Sequence, residues 1–183
     1  MKSFFRKALL ALLLPTLACC ILPSAAAAEN SPRHALTEEQ IARELTESGG
    51  GAVFPIGAFN ENYARHFSGD SYVAPLAKEV SVVNVTFVRG SRTAWHIHHG
   101  SCQILLGVAG KGAYQIWGDK PRVLKPGESV AIPAGVKHWH GAAPERSFQH
   151  VVMMESGQNV VTEWLEPVDE RILAGLEQEE SEK

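Results

Sequence analysis

His96 and His98 stand two residues apart in a run that reads as a strand, so their imidazoles leave one face while Trp95 and Ile97 leave the other. Gln103 follows five residues after His98, beyond the turn-like His99-Gly100-Ser101, and opens the apolar stretch Ile104 to Val108. A hairpin at that turn is expected to bring Gln103 back beside the two histidines. His138 closes a third segment, Gly127 to Lys137, which reads as a strand followed by a turn at Pro133-Ala134-Gly135. Neutral imidazole nitrogens and an amide oxygen are donors that a divalent transition ion accepts. The expectation is a metal site made by His96, His98, Gln103 and His138. For Gln103 the alternative is a buried amide that bonds only backbone.

Two further histidines bear on chemistry. His140 shares the face of His138 and could orient a ligand, act as a base or cap a surface loop. His150 lies on an alternating strand whose neighbours Phe148 and Val152 should face the interior, so a histidine there needs a polar reason. Its alternative is a core histidine bonded to a backbone carbonyl. His99 reads as a solvent or turn residue. Cys102 reads as a buried small hydrophobe, since nothing basic flanks it to favour a thiolate, and Trp95, Trp139 and Trp164 read as core.

The elements that must position these residues are short. From Val53 to Glu166, runs rich in Val, Ile, Phe and Trp are separated by Gly, Pro, Asp or Asn every 8 to 12 residues, which indicates an all-β antiparallel sandwich or barrel. Val83, Val85 and Phe87 alternate with Asn84 and Thr86; Phe148, His150, Val152 and Met154 alternate with Gln149, Val151 and Met153. Pro121, Pro126, Pro133 and Pro144 fall between such runs. Upstream, Thr37-Glu38-Glu39-Gln40 matches a capping box opening a short helix with Ile41 and Leu45 on one face, ended by Gly49-Gly50-Gly51. A short helix over 169–176 and an acidic, disordered tail over 177–183 are expected to follow. The organisation is a leader over 1–28, a lead and helix over 29–52, a barrel over 53–167 and a helix with tail over 168–183.

The leader has Lys2, Arg6 and Lys7, an apolar run from Ala8 to Leu22, and small residues around Ala26-Ala27-Ala28, the pattern of a secretory signal. A membrane anchor needs about 20 apolar residues, and Pro15 and Pro23 interrupt a shorter run. Lipidation at Cys19 is the minor alternative, weakened by Thr16 and by the apolar stretch beyond Cys19. Cleavage near Ala28 places the mature chain in the periplasm or outside the cell, with no membrane contact. It removes three of the 17 basic residues, leaving 14 against 20 acidic ones, a formal charge of −6; nucleic acid is a poor partner for that surface. Cys102 alone remains of the three cysteines, so no intramolecular disulfide staples the fold.

The segment from Gly90 through His96, His98 and Gln103 to Gly110, and the segment from Gly127 through Pro133 and Gly135 to His138, resemble the two signature motifs of the cupin superfamily. Gln103 stands where most cupins have glutamate, and Gly141 where many have asparagine. Together with Thr93-Ala94-Trp95-His96, His138-Trp139-His140-Gly141-Ala142-Ala143-Pro144 and VTEWLEP over 161–167, the pattern is similar to small bacterial manganese cupins. These include hydroxynitrile lyases and carboxymuconolactone decarboxylase-like proteins. The resemblance implies a single-domain jelly-roll barrel, or double-stranded β-helix, with one divalent ion inside and a small-molecule substrate. Manganese is the ion it implies; iron, zinc, copper and nickel suit the same donors, and affinity order outside the cytoplasm favours copper and zinc. It places His150 beside the metal as a base, lines the pocket with Val83, Val85, Thr93 and Met154, and implies a homodimer paired through edge strands. Neutral Gln103 in place of a carboxylate leaves the ion its full charge, a stronger Lewis acid. The reaction expected is therefore of lyase type, with His150 or His140 moving a proton. Quercetinase-like oxygen insertion and a non-catalytic binding or sensing role are the rivals.

Overall fold

Thr37 opens the first helix, α1 (Glu38–Glu47), through the expected reciprocal cap. Its hydroxyl accepts from the Gln40 N–H at 3.2 Å, and the Gln40 side-chain oxygen accepts from the Thr37 N–H at 2.8 Å. Ile41 and Leu45, one turn apart, are fully buried against Ile56, Val88 and Ala109. The computed structural model describes residues 36–47, 51, 53–155, 159–173 and 176. The leader over 1–28, the helix stop at Gly49 and Gly50, and the tail over 177–183 lie outside the described residues.

Thirteen strands are formed among the described residues. Those ahead of Gln103 are β1 (Ala58–Phe59), β2 (Phe67–Ser68), β3 (Ser71–Pro75), β4 (Ser81–Phe87), β5 (Arg92–Thr93) and β6 (His96–His99), with a 3-10 helix, Glu61–His66, before β2. Then come β7 (Gln103–Gly110), β8 (Gly112–Ile116), β9 (Arg122–Leu124), β10 (Ser129–Ile132), β11 (His138–Ala142), β12 (Phe148–Met154) and β13 (Val161–Trp164). They form two antiparallel sheets. One has the order β1-β3-β4-β12-β7-β10; the other runs β13-β6-β11-β5-β2, with β8 joining β11 to β9. This is the all-β antiparallel architecture expected from the strand spacing, in the jelly-roll form that the resemblance implies.

The period-two pattern places Val85, Phe87, Phe148 and Val152 in the core between the sheets, with Leu105, Leu124, Ile132 and Ala142. Their alternating partners do not face water. Asn84, Thr86 and Gln149 are fully buried too, because the extended chain at 54–56 lies across that face and supplies carbonyls. Asn84 donates to Pro55 O at 2.9 Å, Thr86 to Ile56 O at 3.1 Å and Gln149 to Phe54 O at 3.1 Å. Each pairing satisfies an amide N–H or a hydroxyl that would otherwise be costly to bury, while the side-chain oxygens of Asn84 and Gln149 are buried without a hydrogen-bond partner among the described residues. On the second sheet Trp95, Trp139 and Ala113 form a separate cluster with Val168, Leu173 and Leu176, the last two in the helical stretch that begins at Glu170.

One expectation is corrected. His96–His99 and Gln103 are not joined by a hairpin: β6 pairs β11 and β13, whereas β7 pairs β12 and β10. Gly100, at φ +75°, turns the chain from one sheet to the other. A side chain there would come within 2.6 Å of Asn159 O. Gln103 therefore meets the histidines from across the barrel rather than from alongside.

Candidate metal centre

His96 and His138 are cross-strand partners of β6 and β11, and their ring centroids lie 4.1 Å apart. The His98 ring lies 4.9 Å from that of His96 and 5.4 Å from that of His138. All three are buried. Each has its Nδ1 held from behind: His96 by Ala94 O at 3.0 Å, His138 by Val136 O at 2.9 Å, His98 by Thr162 Oγ1 at 3.0 Å. A carbonyl only accepts, so the protons of neutral His96 and His138 sit on Nδ1 and leave lone pairs on Nε2. This is how metal-ligating histidines are fixed.

Two atoms test whether a cation fits. The Oε1 of Gln103 lies 2.8 Å from His138 Nε2; with the His138 proton on Nδ1, two lone pairs face each other across that gap. His98 Nε2 is buried with no hydrogen-bond partner. Both observations are satisfied by a positive ion accepting all the lone pairs, and the donor set of three imidazoles and an amide suits a divalent transition metal. Met154 Sδ, 4.0 Å from Gln103 Nε2, backs the amide.

Burial keeps these rings neutral. Desolvation, with the charge of His138 next in importance, holds His96 well below its usual range. Desolvation lowers His98 and His138 to about 4 each, opposed in part by Gln103 at His98 and by the Val136 carbonyl at His138. Neutral imidazole is the form that ligates.

His140 and His150 extend the cluster inward. Among the described residues, the histidines whose ring nitrogens come within 4.8 Å of one another and could hold an ion are His96, His138 and His140, with His140 in place of His98. His140 Nδ1 is 3.1 Å from His150 Nε2, and its backbone N–H donates to Thr93 Oγ1 at 3.2 Å. His150 is fully buried, packed against Phe87 and Phe148, and among the described residues its Nδ1 makes no hydrogen bond to another residue. Desolvation lowers His150 to about 3 and His140 well below the usual range, the latter aided by His150. The chain brings His140, not His150, into the first contact with the ligand histidines; His150 stands behind it. With His140 buried, a loop-capping role is excluded.

Of the other expected residues, Thr93 and Val85 are buried, and Val83 and Met154 are partly buried against the core. Val85 is the cross-strand partner of His150. Cys102 is partly buried. His99 is exposed and pairs with Glu163 at 2.8 Å. Trp164 was read as core, yet it is half-buried and lies 5.0 Å from the His96 ring, with His66 stacked on it at 4.5 Å. Local alternation does not place it there: Thr162 and Trp164 lie beside the site because in β13 they are the partners of His98 and His96 and share their face. The departure at Gly141 has a steric cause, because a Cβ there would lie 2.4 Å from Ser91 O.

Residues 83–154 match the cupin domain family. Over 97 residues the chain is 38% identical to (R)-mandelonitrile lyase of Granulicella tundricola, covering 53% of this chain and 73% of that protein. A solved cupin-like protein from Thermotoga maritima superposes with a TM-score of 0.59 at 34% identity, covering 67% of this chain and 95% of that one.

Proposed function

This chain belongs to the cupin superfamily, and from that premise we propose that it is a metal-dependent lyase of hydroxynitrile-lyase type, acting on a small substrate whose hydroxyl neighbours the bond that breaks. The observation that carries the reading is the line of buried neutral imidazoles running from the ligand set through His140 to His150. His96, His98, Gln103 and His138 would hold the ion. Bound there, a divalent ion supplies Lewis acidity, stabilising negative charge on a substrate oxygen and lowering that oxygen's pKa. The amide of Gln103 adds no charge to offset it.

The chain's own residues do the rest. His140 donates from Nδ1 to His150 Nε2, which leaves its Nε2 lone pair for the substrate hydroxyl proton. As the hydroxyl becomes a carbonyl, the bond to the nitrile carbon breaks with its electron pair on cyanide, and the proton held by His140 goes to the leaving cyanide. His150, buried between Phe87 and Phe148, fixes the tautomer and orientation of His140. Val83, Val85, Thr93 and Met154 would line the substrate pocket, and Trp164 adds an aromatic wall beside His96. The similarity to (R)-mandelonitrile lyase supports this class of substrate.

Cleavage of (R)-mandelonitrile by metal-loaded protein tests it. Turnover equal in air and under argon is expected, and His140→Ala and His150→Ala are each expected to lower it on the order of 100-fold with metal content intact. Full turnover in metal-replete His150→Ala removes His150 from the mechanism. Turnover that requires oxygen replaces the lyase with oxygen insertion.

Residues 1–28 we propose as a cleaved export signal, and the mature chain as a homodimer in the periplasm or medium. Peptide mapping of secreted protein is expected to start near Glu29, and light scattering to give twice the chain mass. A retained Met1 or a monomeric mass contradicts the respective proposal.

A further inference from the structure

Directly behind two of the ligand histidines, on the outside of the barrel, four segments meet. Trp95 precedes His96 and Lys137 precedes His138, so where the histidines point inward these two point outward. There Lys137 Nζ lies 3.5 Å from the centroid of the Trp117 ring and 5.2 Å from that of Trp95, and it pairs with the Glu166 carboxylate. The Trp95 and Trp117 rings meet edge to face at 5.0 Å. Backbone bonds tie the same four segments: Trp117 N–H to Lys137 O at 2.9 Å, Trp95 N–H to Glu166 O at 3.0 Å and Leu165 N–H to Trp95 O at 2.8 Å.

We propose that Trp95, Lys137, Trp117 and Glu166 form an external clamp that sets the spacing of His96 and His138 for the ion, with Lys137 and Trp117 its positioning residues. The two ligands come from different strands held by a short pairing, the single register pair His138 to His96. Among the described residues no hydrogen bond joins the two rings directly, because each bonds a backbone carbonyl through Nδ1 and offers the other only a lone pair. The ammonium seated on Trp117, beside Trp95 and bonded to Glu166, braces their separation from outside. Lys137 is one-fifth exposed and Trp95 almost wholly buried, while Trp117 is 59% exposed, so the ammonium sits between a buried ring and an exposed one and the cation–π attraction is that of a partly shielded site. The groove beside it, lined by Trp95, Gln115, Trp117 and Glu166, opens to solvent with a volume of about 530 Å³; the clamp is thus built at the surface and acts on the interior.

The inference rests on the metal reading and not on the lyase reading, so its test uses Co²⁺ alone as probe and no substrate. Metal-free full-length protein is titrated with Co²⁺, and affinity and the visible ligand-field spectrum are read for the parent, Lys137→Met, Trp117→Leu and Lys137→Arg. Expected are a roughly tenfold loss of affinity with a shifted spectrum in Lys137→Met and Trp117→Leu, and recovery towards parent values in Lys137→Arg. Leu45→Ala, which weakens the fold from α1 on the other sheet, is expected to leave affinity and spectrum unchanged. Parent-like affinity and spectrum in Lys137→Met overturn the proposal, as does a loss in Leu45→Ala equal to that in Lys137→Met. Should Lys137→Met fail to fold, Trp117→Leu decides by the same criteria. Failure of the parent to bind Co²⁺ at all overturns the metal reading itself.

Discussion

Gln103 is the residue on which the chemistry of the site turns. With the His138 proton on Nδ1 its oxygen faces a histidine lone pair at 2.8 Å, an arrangement of two acceptors that a bound cation relieves. Gln103→Glu adds a negative charge to the donor set, so metal retention is expected to rise while turnover falls several-fold, because a carboxylate reduces the charge an ion presents to substrate. Metal content and steady-state rate, measured together, check it. Thr162 acts on the same centre at one remove. Its hydroxyl is the partner of His98 Nδ1 at 3.0 Å, so Thr162→Val, which keeps the shape and removes the bond, is expected to weaken metal binding about tenfold. Unchanged affinity in Thr162→Val would mean that packing alone orients His98.

At the scale of elements, the helix α1 is fastened to the barrel by more than its apolar face. Glu44 is buried and accepts from Ser147 N–H at 3.0 Å, from Ser147 Oγ–H at 2.6 Å and from Arg89 at 2.8 Å. Glu44→Ala leaves the Ser147 amide without its acceptor, a cost of about 1–3 kcal/mol, or roughly 2–10 °C in Tm for a chain of this size. Calorimetry checks it, and metal affinity is expected to stay at the parent value because α1 packs on Val108 and Ala109 at the end of β7 away from Gln103. The legibility of elements from sequence follows the same divide between local and non-local causes. The capping box at Thr37 and the period-two strands around Val85 and His150 were legible because their signals are local. The sheet crossing at Gly100 was not, because a His-Gly-Ser turn reads equally as a hairpin or a corner, and only the pairing of β6 with β13 decides. Trp164 escaped for the same reason: its relation to His96 is a register between strands 68 positions apart. The burial of Asn84, Thr86 and Gln149 depended on the chain at 54–56 lying over them, which no alternation pattern announces.

Among the described residues of the molecule five imidazoles are buried, His96, His98, His138, His140 and His150, all held neutral chiefly by desolvation. In the unfolded chain each returns to about 6.5. Below that pH the unfolded state binds protons that the folded state refuses, so stability falls as pH drops, by about 1.4 kcal/mol per unit for each such group. Metal-free protein is expected to unfold steeply between about pH 6.5 and 4, with uptake of several protons, and bound metal to move the midpoint lower because ligation excludes the same protons. A shallow or metal-independent acid transition would show that these rings titrate in place. The central claim, that His96, His98, Gln103 and His138 hold one divalent ion while His140 stays free for substrate, meets its most direct test in the metal content of two variants. Plasma mass spectrometry of purified His98→Ala and His140→Ala, each beside the parent, is predicted to find about one ion per chain in the parent and in His140→Ala, and little in His98→Ala. Full metal in His98→Ala with loss in His140→Ala would contradict the account and assign the ion to His96, His138 and His140.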